Sequence, residues 1–131
     1  MKTFKLKIVT PQGIYKETEV EILNIRSTVG QLGILAHHLP MACGIEISEM
    51  NYIEDGDRKH FSTGGGFVYV GDDETTVIVN SIESPEEIDL DRAIQAKERA
   101  QERLNHKDDI DVMRAEIALK KALIRIDVKE M

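Results

Sequence analysis

The sequence predicts an α+β protein with an N-terminal all-β sandwich or flattened barrel and a C-terminal antiparallel helical hairpin. All nine glycines lie at or before Gly71, and all six aromatic residues lie at or before Tyr69. Six of the eight alanines lie between Ala93 and Ala122. Because these residue types favour different elements, we expect two parts: a β-sandwich domain over residues 1–84 and a helical hairpin domain over residues 85–131.

Apolar and charged residues alternate at the start of the chain, where lysines separate Phe4, Leu6 and Ile8. This period of two predicts a strand with one buried face. Further strands are predicted over residues 19–25, 34–36, 44–47, 51–53, 59–62, 67–70 and 75–80. The clearest hairpin runs from Met50 to Phe61 around a turn rich in Asp and Gly. Gly64-Gly65-Gly66 is interpreted as a tight bend or bulge.

The helical period begins after Ser84. Ser84 and Glu87 form a capping-box pattern, but we favour Asp89 as the cap of a helix from Leu90 to about Leu104, with residues 84–87 as a linking turn. A second helix is predicted from about Asp111 to Ile126. The polar residues 105–109 leave a connection so short that the two helices must be antiparallel neighbours.

Alanines make up five of the nine residues in the predicted seam between the helices. The seam consists of Ala93, Ala96, Ala100 and Leu104 on the first helix and Val112, Ala115, Leu119, Ala122 and Ile126 on the second. Alanine buries little apolar area, and the ~2 to 5 kcal/mol typical of a buried Leu-to-Ala change indicates how much cohesion this seam lacks. Met113, Ile117 and Ile124 lie off the seam and need the sandwich or a partner to cover them. The hairpin therefore either has two docking positions or is packed permanently on the sandwich.

Composition excludes several classes of function. With 24 acidic and 17 basic residues the chain carries a net charge of −7, which argues against nucleic-acid binding. No apolar run approaches the ~18 residues of a membrane span, and the N-terminal segment lacks a secretory signal pattern, so we expect no direct membrane insertion. The single Cys43 fits a reducing compartment.

Catalytic and metal-binding motifs are missing from the sequence. There is no Walker A loop, zinc-protease motif or nucleophile elbow. His37 and His38 precede Pro40 in a predicted loop with no nearby carboxylate or nucleophile, which favours a contact role. We therefore predict no catalytic residues, no metal ligands and no required cofactor.

A row of arginines gives the strongest indication of a ligand. Arg92 and Arg99 lie two helical turns apart and Arg103 extends the row, while the antiparallel turn brings Lys121 and Arg125 back toward Arg92. Such a cluster either binds a polyanion or forms a solvated charged face.

Five segments, in the same order along nearly the whole chain, resemble the epsilon subunit of bacterial F-type ATP synthases. They are I-V-T-P-Q-G (8–13), G-Q-L-G-I-L with H-L-P (30–35 and 38–40), G-G-F (65–67), I-D-L-D-R-A (88–93) and R-A-E-I-A-L (114–119). The resemblance implies a non-catalytic rotor subunit of the central stalk, which couples proton-driven rotation to ATP synthesis. Its implied partners are the gamma subunit, the ring of c subunits and, when the hairpin extends, the alpha/beta catalytic head, where the hairpin restrains ATP hydrolysis. The implied location is peripheral, at the cytoplasmic face of the bacterial cell membrane.

The resemblance also implies two sets of site residues. In members that bind ATP as a regulatory ligand, the I-D-x-x-R-A motif recognises the nucleotide, and Lys121 stands where such members tend to have arginine. The implied nucleotide-binding residues are Glu83, Ile88, Asp89, Arg92, Ala93, Arg99, Lys121 and Arg125. The loop over residues 30–40 would approach the c-ring, with contacts expected from Gly30, Gln31, Leu32, Gly33 and His38. His37 stands where the family usually has glycine. A free-standing ATP-binding regulatory module remains the alternative to a rotor subunit.

Overall fold

The structure is a computed structural model, and it describes residues 2–105 and 111–131. It confirms the predicted fold class, since strands fill the N-terminal part and two helices follow. In chain order the elements are β1 (Phe4–Thr10), β2 (Gly13–Val20), β3 (Ile22–Ser27), β4 (Gly30–Leu35), β5 (Met41–Glu54), β6 (Asp57–Val70), β7 (Glu74–Val79), β8 (Ile82–Glu83), α1 (Leu90–Asn105) and α2 (Val112–Lys129).

The strands form a sheet that folds back on itself as a sandwich. The order across it is β2-β1-β7-β6-β5-β3-β4, with β8 paired to β6, and β1–β7 is the one parallel pair among the described strands. β2 also meets β5 where the Thr18 hydroxyl donates to the Glu54 carboxylate. The fully buried side chains between the layers include Leu6, Ile8, Val20, Leu23, Ile25, Ile34, Met50, Tyr52, Val68 and Val77. The alternation predicted for the first strand is confirmed, since Leu6 and Ile8 belong to this core.

The predicted hairpin is confirmed, but its strands are longer than expected. Met50 pairs with Phe61, and the two-residue turn Asp55-Gly56 has φ values of 51° and 83°, as a type I′ turn requires. β5 and β6 each run through two of the predicted short strands. The glycine run bends β6 without ending it, because Gly65 adopts a φ of 86°.

Three predicted strand boundaries on the N-terminal side are wrong. β2 begins at Gly13, well before residue 19, because an edge strand has one unpaired side and tolerates polar residues on both faces. The predicted strand over residues 19–25 divides at Glu21, whose N–H donates to the Ile53 carbonyl at 2.8 Å. β4 begins at Gly30, so the first half of the predicted loop over residues 30–40 is a strand paired with β3.

Local capping fixes the helix starts as predicted. The Arg92 N–H donates to Asp89 Oδ1 at 3.1 Å, and the Arg114 N–H donates to Asp111 Oδ1 at 3.2 Å. α2 runs three residues past the predicted end at Ile126, to Lys129. Of the turn predicted over residues 105–109, Asn105 is the last residue of α1, and residues 106–109 lie outside the described residues.

The seam between the helices is lined by the predicted alanines. Ala93, Ala100, Ala115 and Ala122 are buried. A cavity of about 190 Å³ remains beside them, lined by Ala96, Arg99, Ala100, Arg103 and Ala118. The helices run antiparallel, because Arg92 at the start of α1 shares a pocket with Arg125 near the end of α2, whereas residues late in α1 meet Ala118 in the first half of α2. The cavity indicates that small side chains leave this seam incompletely filled.

The hairpin contacts the sandwich mainly through α2, which lies against β5 and β6. Ile124 faces a cavity of about 410 Å³ that it shares with sandwich residues, whereas Met113 is 70% exposed. The sandwich therefore covers part of the apolar surface that lies off the seam. Neither helix, over its described length, has an apolar stretch that could cross a membrane.

Candidate functional site

A pocket of about 230 Å³ opens where the start of α1 meets the end of α2 and strand β8. Three carboxylates and three guanidinium groups line it, together with two alanines. The lining residues are Glu83, Glu87, Asp89, Arg92, Ala93, Ala96, Arg99 and Arg125. The structure thus brings together six of the eight residues proposed as nucleotide-binding, contributed by both helices and the sandwich.

Helical spacing places two of the arginines on the same face of α1, two turns apart, where both line the pocket. Arg92 and Arg99 lie seven residues apart on α1, so they project from nearly the same face. Ala93 and Ala96 leave room beside them because their side chains are short. Arg125 reaches the pocket from α2, and its Nε donates to Glu83 Oε1 at 2.5 Å.

The arginines differ in their electrostatic partners. Arg125 is paired with Glu83, whose side chain is partly buried. Within residues 2–105 and 111–131, neither Arg92 nor Arg99 has a carboxylate oxygen within 4.0 Å. Two guanidinium groups in one pocket without carboxylate partners favour an anionic ligand that would offset their repulsion.

Two of the proposed binding residues do not line the pocket. Ile88 is 3% exposed and belongs to the packed interior of the linking turn. Lys121 lies on α2 one turn before Arg125 and is half-buried. Lys121 can therefore contribute positive charge near the pocket, whereas Ile88 can act only through packing.

Glu87 is a pocket residue that the sequence interpretation missed, because its spacing from Ser84 already explained it as part of a turn. Its Oε1 accepts hydrogen bonds from the Tyr15 hydroxyl and from the Ser84 N–H, the latter at 2.9 Å. Burial raises the pKa of Glu87, but the hydrogen bonds from Tyr15 and Ser84 outweigh it, so the pKa lies below its ordinary value. Glu87 is therefore a carboxylate at neutral pH.

The residues expected to contact the c-ring lie in two kinds of structure. Gly30, Gln31, Leu32 and Gly33 belong to the edge strand β4, whereas His38 lies in the loop that follows. Leu32 packs against the core, and Gln31 lines the cavity shared with α2. The expectation that all of them form one loop is therefore wrong.

The loop after β4 keeps a glycine-like backbone. His37 has a φ of 65°, the left-handed conformation that glycine adopts most readily. His38 Nδ1 donates to the Leu39 carbonyl at 2.7 Å, which holds the loop locally. Leu39 in the same loop is 80% exposed, and Val29 in the turn between β3 and β4 is 81% exposed. These two apolar side chains are contact candidates that the sequence interpretation did not single out.

A second apolar surface crosses the outer face of the sheet. Ile14 pairs with Val9, Val9 with Ile78, and Ile78 with Phe67, so the four side chains form one row across β2, β1, β7 and β6. Tyr69 lies two residues from Phe67 on the same face. All but Val9 are more than 40% exposed. We call these five residues the apolar row; such an exposed patch is typical of a protein contact.

Comparison with known proteins gives one consistent family. The sequence model of the ATP synthase delta/epsilon chain beta-sandwich domain matches residues 3–85, and that of the delta/epsilon chain long alpha-helix domain matches residues 86–130. The ATP synthase epsilon chain of Bacillus pumilus is 41% identical over 128 residues, which are 98% of each chain. That of Clostridium novyi is 43% identical and covers 97% of this chain and 98% of its own.

Two solved structures share the fold at lower sequence identity. A chain in the mitochondrial ATP synthase of Euglena gracilis, in an assembly of OSCP, F1 and c-ring, superposes with a TM-score of 0.85 at 21% identity. The match covers 98% of this chain and 82% of that one. A chain in the central stalk and c-ring of the Tetrahymena thermophila mitochondrial ATP synthase gives a TM-score of 0.61 at 13% identity, over 98% and 95% of the two chains.

Proposed function

This chain belongs to the ATP synthase delta/epsilon family as a non-catalytic epsilon subunit, and on that premise we propose that its helical hairpin restrains ATP hydrolysis under the control of bound ATP. The observation that carries the proposal is the pocket between α1, α2 and β8. A ligand bound there would contact both helices and the sandwich at once. It would therefore favour the docked form of the hairpin over an extended form.

The chemistry of the pocket suits a nucleoside triphosphate. Arg92 and Arg99 offer planar donors for phosphate oxygens, and Lys121 adds charge nearby. The carboxylates of Glu83 and Asp89 can accept hydrogen bonds from the adenine amine. A volume of about 230 Å³ is below the ~300 to 1,000 Å³ of typical ligand pockets, so part of the nucleotide would lie at the mouth.

Modest affinity is sufficient for this kind of control. A ligand that binds only the docked form, at about 100 times its dissociation constant, stabilises that form by roughly 2.7 kcal/mol. The seam that holds the helices together consists largely of alanines and leaves a cavity of about 190 Å³. We therefore expect an energy of this size to shift the balance between docked and released hairpins.

The proposal assigns the two exposed apolar surfaces to the rotor. The apolar row on the sandwich would face the gamma subunit. The c-ring would be approached by Val29 in the β3–β4 turn, by residues 30–33 of β4, and by His38 and Leu39 in the loop after β4.

When the hairpin over residues 85–131 is released, it would rotate about the Ser84–Ile88 segment toward the alpha/beta head. The subunit would thus sit peripherally at the cytoplasmic face of the bacterial cell membrane and transmit proton-driven rotation.

Calorimetric titration of the full chain with ATP tests the nucleotide site. Wild type is expected to bind, and Arg92→Ala is expected to weaken binding at least about tenfold, because a hydrogen bond to a charged group contributes ~1.5 to 3 kcal/mol. Arg114→Ala is the matched control, since Arg114 is exposed on α2 outside the pocket. Absence of binding by wild type, or equal weakening by both variants, would contradict the proposal.

A further inference from the structure

Tyr15 connects the core of the sandwich to the pocket wall. Its ring meets Phe61 edge to face, with centroids 6.2 Å apart and planes at 88°. Phe61 in turn stacks on Tyr52, with centroids 5.2 Å apart. Phe61 and Tyr52 are buried, so the core fixes the position of the Tyr15 ring on β2.

The hydroxyl of Tyr15 donates to the Glu87 carboxylate, which lies in the turn between β8 and α1. Burial and the neighbouring Glu87 carboxylate raise the pKa of Tyr15, so the phenol keeps its proton at neutral pH. The same oxygen, Glu87 Oε1, accepts the Ser84 N–H. Glu87 is thus held from two sides, by the sandwich and by its own turn.

This arrangement affects the charge that the pocket presents. Each of its three carboxylates has a partner: Glu83 pairs with Arg125, Asp89 accepts the Arg92 backbone N–H, and Glu87 accepts from Tyr15 and Ser84. A Glu87 carboxylate without its phenol donor would still lie in the pocket wall. There it would be available to the guanidinium groups of Arg92 and Arg99, and it would repel a phosphate.

We propose that Tyr15 is a positioning residue for this pocket: by holding Glu87 against the sandwich, it keeps Arg92 and Arg99 available to an anionic ligand and ties the linking turn to the core. The nature of that ligand rests on the proposed function. The contact between Tyr15 and Glu87 does not, so the two can fail separately.

The first test is amide hydrogen exchange at Ser84 in the full chain without nucleotide. The Ser84 N–H reports directly on Glu87, because it donates to the same carboxylate oxygen as Tyr15 does. Tyr15→Phe is expected to speed exchange at Ser84 by several-fold and to leave core amides of β1 and β7 unchanged. Tyr52→Phe is the matched control, because it removes a hydroxyl from the same aromatic cluster without touching Glu87.

The second test is a double-mutant cycle on ATP affinity. Tyr15→Phe is expected to weaken binding by about fivefold to tenfold, less than the loss of a direct hydrogen bond between Arg92 and the ligand, because Tyr15 acts on the ligand only through Glu87. In a Glu87→Ala background the same change should alter affinity less than about twofold, because Tyr15 then has nothing to position. A purely structural role would give the same loss in both backgrounds.

The outcomes separate the two claims. Faster exchange at Ser84 in Tyr15→Phe, with coupled effects on ATP affinity, supports the inference. Unchanged exchange at Ser84, or additive losses in affinity, overturns it. If wild type binds no ATP, the proposed nucleotide control fails, and exchange at Ser84 alone decides whether Tyr15 positions Glu87.

Discussion

Glu54 shows how single side chains join distant strands of this sandwich. It accepts a hydrogen bond from Thr18 on β2 and pairs with Lys59 at 3.0 Å and Lys16 at 3.9 Å. The hydrogen bond from Thr18 and the two lysines lower the pKa of Glu54, against the effect of burial. One carboxylate thereby holds β2 to the β5–β6 hairpin.

Glu54→Gln is therefore expected to lower stability in a pH-dependent way. Because the folded pKa is lowered, the ionised carboxylate stabilises the protein above the unfolded pKa, and this contribution is lost as pH falls through the folded pKa. Urea unfolding should show a difference of about 1 to 2 kcal/mol from wild type at pH 7. The difference should shrink below about pH 4.5.

Glu19→Gln serves as the control for that measurement. Glu19 is exposed on β2 and has no ion pair among the residues that the structure describes. Its replacement should leave the unfolding curve within about 0.5 kcal/mol of wild type. A constant gap between Glu54→Gln and wild type from pH 7 to pH 3 would contradict this account.

Among the elements, β6 depends on one glycine for its close approach to β7. A Cβ added at Gly66 would lie 1.9 Å from the Ile78 carbonyl oxygen, which is backbone and cannot move aside cheaply. At Gly33 the nearest atom to an added Cβ is Asn24 Oδ1 at 3.3 Å, on a side chain that can shift. The two positions therefore differ in what an extra methyl group would cost.

We expect Gly66→Ala to destabilise the protein by about 3 kcal/mol or more, and Gly33→Ala by less than about 1 kcal/mol. Chemical denaturation of the two variants measures the difference directly. Equal losses would show that the β6–β7 approach is not limited by Gly66.

The helical seam can be tested by filling its cavity. Ala118→Leu adds apolar atoms toward a space of about 190 Å³, and such changes commonly stabilise by ~0.5 to 2 kcal/mol. Amides of α1 should then exchange about fivefold more slowly, which corresponds to about 1 kcal/mol. Gln101→Leu, at an exposed position of α1, adds similar bulk without filling the cavity and should have no such effect. Unchanged or faster exchange in Ala118→Leu would contradict a loosely packed seam.

Helix starts and the arginine row could be predicted from the sequence because their causes are local. Asp89 and Asp111 cap the turns that follow them, and the spacing of Arg92 and Arg99 follows from the helical period. The role of Glu87 could not be predicted in the same way. Its partner Tyr15 lies 72 residues away, and only the folded sheet brings the two together.

The predicted boundaries of β2 and β4 were wrong for a related reason. No strand was predicted over residues 13–18, but pairing with β1 along its length makes β2 a strand from Gly13 onward. Likewise, the resemblance implied a loop over residues 30–40, whereas β4 pairs with β3 from Gly30 to Leu35. Long-range pairing, not local propensity, decides both cases.

At the scale of the whole molecule, a few polar contacts among the described residues join α2, the linking turn over residues 84–87 and the sandwich. Arg125 pairs with Glu83, Lys129 Nζ donates to the Pro85 carbonyl at 2.7 Å, and Tyr15 donates to Glu87. Two of these three contacts, Arg125 with Glu83 and Tyr15 with Glu87, involve residues that line the pocket. A ligand there would therefore act where the hairpin joins the sandwich.

The rotor proposal predicts stable association with a large complex. A tagged chain, expressed in its own host and recovered from membranes stripped at low ionic strength, should co-purify with the gamma subunit of ATP synthase. Replacing Phe67 with a charged residue should reduce recovery, because the apolar row would lose its central aromatic side chain. Asp57→Lys, at the exposed start of β6 and outside both the row and the surface proposed for the c-ring, provides the control. Recovery of the chain alone would favour a free-standing nucleotide-binding module.

Amide hydrogen exchange along α1 and α2, with and without ATP, tests the central claim most directly. Without nucleotide, we predict that the amides of both helices exchange much faster than those of the buried strands β1 and β7. Saturating ATP should slow exchange in the helices of wild type by about a hundredfold, which corresponds to a stabilisation of roughly 2.7 kcal/mol. The same ATP should not slow exchange in Arg92→Ala. Helices that are as protected as the strand core in every condition would contradict the account.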